Sequence, residues 1–409
     1  MPEQLQLAFV NFAQDAYIIL EGKQNADRFY IIRQGKVRIS KQIEVVEEEG
    51  GNILGPGDYF GVVSTMSGHS SIETVQAVTD CVLISVKKDQ YINLIQSNAS
   101  LAMKIIGYFS RQLRYFDEAL TRLTLKSSAD TDQSHIFDVA EYYINQSQYN
   151  LAYYAYYQYI NQCPDAPNVT IAQERLTRIA PYVKDVKLGF KADEFTRAYA
   201  KNRMLFAEGE RGDELFIIQS GAVKIVKIVD RNEVLLAVLK TGDIFGEMAL
   251  LDSKPRTACA VAYEDCVVMR VNRANFERIT ASEPSLITRL TTLLADRIWL
   301  IYKQLANTLI TDPLGRLYDA LMIQLENNRV PLDGHQAYTF NFGPQELVNM
   351  MGLPKGDSFK VLRLMLESKQ IQVKNDKVHI FDVIEVVKQA TYHQKLMRME
   401  KARRAASLK

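Results

Sequence analysis

The sequence predicts an α+β chain: two jelly-roll β-barrels, each followed by helices, a helical hairpin between them, and a C-terminal pair of short helices backed by a β-hairpin. Three observations predict it. At 409 residues the chain exceeds what one hydrophobic core serves, so several domains are expected. "YIILEGKQNADRFYIIRQGKVRI" (17–39) and "MLFAEGERGDELFIIQSGAVKI" (204–225) share E-G, a polar loop and I-I-x-x-G-x-V-x-I, and "GPGDYFG" (55–61) recurs as "KTGDIFG" (240–246). Within each copy, segments such as "FYIIRQG", "CVLISV" and "CVVMRV" are short, β-branched and bounded by Gly or Asp-Gly, the pattern of antiparallel strands in a jelly roll.

Composition excludes more than it assigns. Hydrophobic residues make up 47% and charged residues 24%, which fits an ordinary globular protein and excludes a disordered chain. No apolar run approaches the ~20 residues of a membrane span, and "MPEQLQLAFVNF" lacks a signal-peptide pattern. Cys81, Cys163, Cys259 and Cys266 are scattered, so neither a metal site nor a disulfide framework is expected and the cytoplasm is the expected compartment. The five histidines are equally scattered, and there is no Gly-x-Ser-x-Gly or P-loop, so no enzyme is expected. The net charge of +1 means that any attraction to nucleic acid must be local.

Four domains are expected in chain order: 1–130, 131–186, 187–308 and 309–409. The first copy closes in the helical stretch "ASLAMKIIGYFSRQLRYFDEALTRL" and the second in "PSLITRLTTLLADRIWLIYKQLA". In the latter, Leu286, Leu290, Leu293, Ile298, Ile301 and Leu305 lie near one face and suit the seam of a homodimer. Between the copies, Ala140, Tyr143, Ala152, Tyr156, Tyr159 and Pro164 fall at the spacing of one tetratricopeptide-like hairpin. A plain αα-hairpin fits as well. A lone repeat cannot bury its own face, so it is expected to dock on a neighbour, with the tyrosines as packing.

"GDIFGEMALLDSKPRTACAVA" (242–262) carries the chemistry. Gly246 permits close backbone approach, and "EMALL" can begin a helical turn whose free N–H groups face an anion. Arg256 offers a guanidinium fork for a phosphate, and Glu247 can only accept hydrogen bonds, as a sugar hydroxyl requires. Thr257 adds a hydroxyl and Ala258 leaves room. Phosphate plus sugar points to a nucleotide; a plain Glu247–Arg256 ion pair closing the loop is the alternative.

Both copies resemble the cyclic nucleotide-binding domain of the catabolite activator and cAMP-dependent kinase families, and in the second F-G-E-x-A-L-x-x-x-x-P-R-T-A matches the phosphate-binding cassette without a gap. The resemblance implies that Gly246, Met248 and Ala249 lie along the phosphate turn, that Glu247 takes the ribose 2′-hydroxyl and that Arg256 takes the cyclic phosphate. Thr257 resembles cGMP-preferring members without excluding cAMP. A base lid would come from the next helix, with Arg297, Trp299 and Lys303 as candidates; Trp299 also reads as a core or dimer anchor. In the first copy Val62 stands at the position of Glu247 and Ser71 at that of Arg256, so both polar anchors are lost. That copy reads as a retained scaffold, a different ligand being the alternative.

In the last domain, Leu347, Met351 and Gly352, then Val361, Leu362 and Met365, have the spacing of two short helices, and "IQVKNDKVHIF" reads as a hairpin turning at Asn-Asp. This resembles the winged helix-turn-helix of catabolite-activator-type regulators, and implies duplex DNA as a partner, with Lys355, Lys360 and Arg363 on the reading helix. Residues 307–409 carry 15 Lys and Arg against 11 Asp and Glu, a mildly basic balance. Pro354 and Gly356 depart from that family's pattern, and Phe359 suits a protein contact as well as a thymine methyl. The expected function is a transcription regulator responding to cAMP or cGMP. The alternative is a nucleotide-gated adaptor whose winged helix and hairpin contact proteins.

Overall fold

In a computed structural model, the structure describes residues 7–24, 27–41, 52–125, 135–184, 188, 195–229, 232–247, 255–351 and 355–407. The repeat read from the sequence is a repeat of sheets. In the first copy, β1 (Ala8–Phe12), β8 (Cys81–Lys87), β3 (Arg28–Gln34) and β6 (Tyr59–Phe60) form one antiparallel sheet in that order. The facing sheet is β2 (Tyr17–Ile19), β7 (Thr74–Ala77), β4 (Val37–Ser40) and β5 (Ile53–Leu54). The second copy repeats both orders, with β9 (Thr196–Tyr199), β16 (Cys266–Asn272), β11 (Glu214–Ser220) and β14 (Ile244–Phe245) in one sheet. Its other sheet is β10 (Met204–Phe206), β15 (Cys259–Ala262), β12 (Ala222–Val229) and β13 (Asn232–Lys240).

Register repeats as well. Tyr30 and Ile31 pair with Phe60 and Tyr59, as Phe216 and Ile217 pair with Phe245 and Ile244. Both long pairings bulge at the same place, between Ile32 and Gln34 and between Ile218 and Ser220. Alternate residues on the facing strands fill each sandwich, with Ile32, Val37, Val75 and Leu83 in the first and Ile218, Val223, Ala260 and Val268 in the second.

The chain divides into two compact units: 1–91 with 116–126 and 295–409, and 92–115 with 127–294. The helices Ala99–Leu125 and Pro284–Thr308 each contribute residues to both. Helices of 27 and 25 residues run roughly 40 Å at 1.5 Å per residue. The expected dimer face of the second helix is largely covered within the chain. Leu290, Ile298 and Leu305 are buried, while Leu286, Leu293 and Ile301 are half-buried.

In the second unit, the helices His135–Asn145 and Tyr149–Gln162 form the anticipated hairpin, followed by Val169–Ile179. Tyr143, Tyr156 and Tyr159 are fully buried, and one cluster joins them to Met204, Ala207, Val226, Ile228, Cys259 and Val261 of the second barrel. The tyrosine stripe is thus packing, and Tyr143 Oη donates to Glu233 Oε2 at 3.0 Å.

In the first unit, the C-terminal segment has its own core. Asp312 caps the helix Pro313–Asn327, its carboxylate accepting Gly315 N at 2.9 Å. Helices Pro344–Met350 and Lys355–Glu367 follow, and Leu347, Met351, Val361 and Met365 turn into the core. Strands Ile371–Lys374 and Lys377–Ile380 pair through the turn Asn375-Asp376, with φ of 48° and 59°. Positive φ at both central residues is the tight hairpin turn that Asn and Asp tolerate best after glycine. Tyr338–Thr339 adds a third strand. Gly352 and Pro354 lie outside the described residues.

Candidate functional site

The second barrel builds its site around Arg256. The chain approaching β15 is pinned by two backbone bonds, Arg256 N to Glu210 O at 2.8 Å and Gly209 N to Arg256 O at 2.9 Å. These aim the side chain inward, where the residue is only 5% exposed. Its guanidinium lies 4.2 Å from the Phe206 ring centroid and 5.8 Å from that of Phe216, on a floor formed by Phe206, Phe216 and Phe245. Nη1 donates to Gly246 O at 2.6 Å. A Cβ on Gly246 would come within 2.7 Å of Nη1, and one on Gly212 within 2.6 Å of Nη2, so both glycines are needed for the guanidinium to lie there.

Burial pulls the Arg256 pKa below its ordinary value, against the opposing pull of Glu210, Glu214, Tyr154 and Glu247. Its Nε is buried without a hydrogen-bond partner, a donor that a phosphate oxygen would satisfy. Glu247 is 1% exposed, Ala258 is buried and Thr257 half-buried. Thus Gly246, Glu247, Arg256, Thr257 and Ala258 lie in or beside one barrel interior. Met248 and Ala249, and with them the expected helical turn, fall outside the described residues. Both described ends of this cassette are tied to the helix Ala99–Leu125. Ser110 Oγ donates to Glu247 O at 3.2 Å, and Arg114 Nη1 to Pro255 O at 3.1 Å.

The first barrel keeps this frame and replaces its contents. Gly22 N donates to Ser71 O at 2.7 Å and Ser71 N to Lys23 O at 3.0 Å, the same ladder with serine where Arg256 stands. The loop after Gly61 is the helix Val62–Ser67. Gly61 N, equivalent to Gly246 N, donates to the buried carboxylate of Glu73 at 2.8 Å. Glu73 stands where the second copy has Ala258. The chain's own Glu73 side chain therefore sits at the amide that begins the first cassette, two residues after the serine that stands in place of the arginine. Sequence reasoning missed Glu73, although an acid opposite a small residue in the aligned cassettes was a readable signal.

Residues 9–98 and 196–283 both match the family model for the cyclic nucleotide-binding domain. Both barrels are cyclic nucleotide-binding domains. Over 185 residues the chain is 28% identical to a CRP-like cAMP-activated global transcriptional regulator of Mycobacterium tuberculosis, covering 45% of this chain and 83% of that one. Over 262 residues it is 23% identical to a cAMP-dependent protein kinase regulatory subunit of Eremothecium gossypii, covering 64% of this chain and 42% of that one. Among solved structures, the Thermus thermophilus catabolite activator protein is 25% identical over 48% of this chain and 90% of its own, with a TM-score of 0.28.

The lid candidates fall outside the unit that holds the second cyclic nucleotide-binding domain. Arg297, Trp299 and Lys303 belong to the unit of the first. There the fully buried Trp299 stacks on His69 with centroids 4.1 Å apart, and His69 Nε2 lies 3.3 Å from Asp296 Oδ1. Lys303 pairs with Glu326 at 3.3 Å. Trp299 is thus a core anchor on the first domain's cassette loop.

On the helix Lys355–Glu367, Lys360 and Arg363 are exposed, and Arg363 Nε is bound to Glu367 Oε1 at 2.7 Å. Phe359 and Leu366 are 74% and 76% exposed, an apolar pair seven residues apart. The Lys355 side chain lies outside the described residues. Among the described residues no helix is long and apolar enough to cross a membrane, and no group of three or more His, Cys, Asp or Glu could hold a metal ion.

Proposed function

We propose that this chain is a cyclic nucleotide-responsive, DNA-binding transcription regulator of the cytoplasm, working as a homodimer with cAMP or cGMP as its ligand. The observation that carries the reading is the buried Arg256, with its unpartnered Nε, set on aromatic rings between two glycines. Arg256 would hold the cyclic phosphate and Glu247 the ribose 2′-hydroxyl. Gly246, Met248 and Ala249 would line the phosphate turn, and Thr257 would meet the purine edge. The C-terminal segment reads as a winged helix-turn-helix, with Lys355, Lys360 and Arg363 facing duplex DNA and the Lys377-containing hairpin as its wing. The helix Pro284–Thr308, which has residues in both units, is the element through which an occupied pocket would act.

Titration calorimetry tests the first half. We expect one cyclic nucleotide site per chain, because Glu73 holds the first cassette. Two sites, or none, would overturn the assignment of roles to the two domains.

One observation favours a second reading, an adaptor that binds protein through the same helix. Phe359 and Leu366 form a ridge at i and i+7 that fits an apolar groove. Salt separates the two. Binding to random duplex is expected to weaken steeply with salt, and Lys360→Ala to lower the log–log slope by about one unit. A slope near zero in the wild type would favour the adaptor.

A further inference from the structure

We propose that Glu210 and Tyr154 are positioning residues for Arg256, linking the docked helical hairpin to anion binding in the second barrel. The inference deepens the proposed function and rests on Arg256 as the phosphate anchor.

Glu210 is buried in the turn that follows β10. Its backbone carbonyl accepts Arg256 N at 2.8 Å, and its side-chain Oε2 accepts Ala207 N at 2.8 Å. The Tyr154 hydroxyl, from the hairpin's second helix, lies 3.2 Å from each Glu210 oxygen and 3.0 Å from Leu205 O. A phenol has one hydrogen for these two acceptors. When Glu210 is ionised, Tyr154 donates to it and leaves Leu205 O without that bond. When Glu210 carries a proton, it donates to Tyr154, and Tyr154 donates to Leu205 O. Leu205 precedes Phe206, on whose ring Arg256 lies. The toggle therefore reaches the arginine by two routes, the Glu210 backbone and the Phe206 strand.

The repeat supports the pairing. In the first copy, where serine replaces the arginine, Lys23 stands at the position of Glu210. An acid is present where there is an arginine to serve.

Burial pushes the Glu210 carboxyl up to about 7, with the Ala207 amide, Arg256 and Tyr154 holding it down and Glu214 acting with burial. Tyr154, Tyr199, Cys259 and Glu214 also face it. Burial holds Tyr154, Tyr199 and Cys259 above their ordinary values, hence neutral, and Glu214 is bound by Arg197 and Arg270 at 2.9 and 3.1 Å. A phosphate on Arg256 cancels part of the cation's downward pull, so Glu210 takes up a proton on binding. Affinity is then highest below the free-state value and falls as pH rises through it.

The test is calorimetry of the full chain with cAMP and with cGMP from pH 6 to 8.5, in buffers of different ionisation heat. Wild type is expected to lose about three- to tenfold in affinity across this range, with net proton uptake. Glu210→Gln, which keeps the neutral hydrogen-bonding shape, is expected to be flat with pH and free of uptake. Tyr154→Phe is expected to weaken binding at pH 6 and to shrink the pH effect. A pH-independent wild type, or a Glu210→Gln profile equal to wild type, overturns the link while leaving the pocket standing. Absence of heat with both nucleotides in the wild type overturns the pocket itself. Should Glu210→Gln fail to fold, the wild-type profile and its buffer dependence decide alone.

Discussion

Arg256→Ala is expected to weaken cyclic nucleotide binding at least about a hundredfold, roughly 3 kcal/mol, because hydrogen bonds to a charged group are worth about 1.5–3 kcal/mol each and the fork offers more than one. The loss is expected to fall on binding more than on folding. The guanidinium is only 5% exposed and is surrounded by Glu210 and Glu214, so its removal leaves acid behind. Glu214 keeps Arg197 and Arg270, and Glu210 can protonate. The barrel is therefore expected to survive, with Glu210 displaced to still higher pKa once its nearby cation is gone. Calorimetry gives the affinity, and circular dichroism of the same sample establishes the fold. Retained affinity in a folded Arg256→Ala protein would move the anion site elsewhere. Arg256→Lys is expected to recover little, since a single ammonium cannot lie flat on Phe206 and reach Gly246 O together.

The parts of this molecule that repeat were legible in the sequence, and the parts that depend on distant segments meeting were not. E-G, I-I-x-x-G-x-V and G-D-x-F-G recur because two barrels need the same turns and the same inward positions, and the bulge after Ile32 recurs after Ile218 for that reason. The Asn375-Asp376 turn was legible because its chemistry is local. Arg256 was legible through its cassette. Glu210 was not, because its meaning comes from Tyr154, 56 residues earlier, and no local spacing encodes that meeting. The long helices were legible only in part, for a related reason. An apolar stripe such as Leu290, Ile298 and Leu305 says that a face is covered, and cannot say whether the cover is the same chain or another copy.

Trp299→Ala is expected to destabilise the first unit by about 3–5 kcal/mol, the range for emptying a buried aromatic site, and to leave cyclic nucleotide affinity within about twofold. The ring is fully buried, stacks on His69 and carries Lys303 at 5.3 Å over its face. Its removal opens a void and frees His69, which Asp296 alone would then hold from that helix. A chain with two compact units need not melt as one, so calorimetric scans are the appropriate measurement. The transition lowered by Trp299→Ala is expected to differ from the one raised by saturating nucleotide, which gains RT ln(1 + [L]/Kd) in the unit that binds. Trp299→Phe is expected to recover most of the loss, because the indole N–H has no hydrogen-bond partner to forfeit. A fall of tenfold or more in nucleotide affinity with the melting profile unchanged would instead make Trp299 the cap over the base, and the first cassette's loop would lose its anchor.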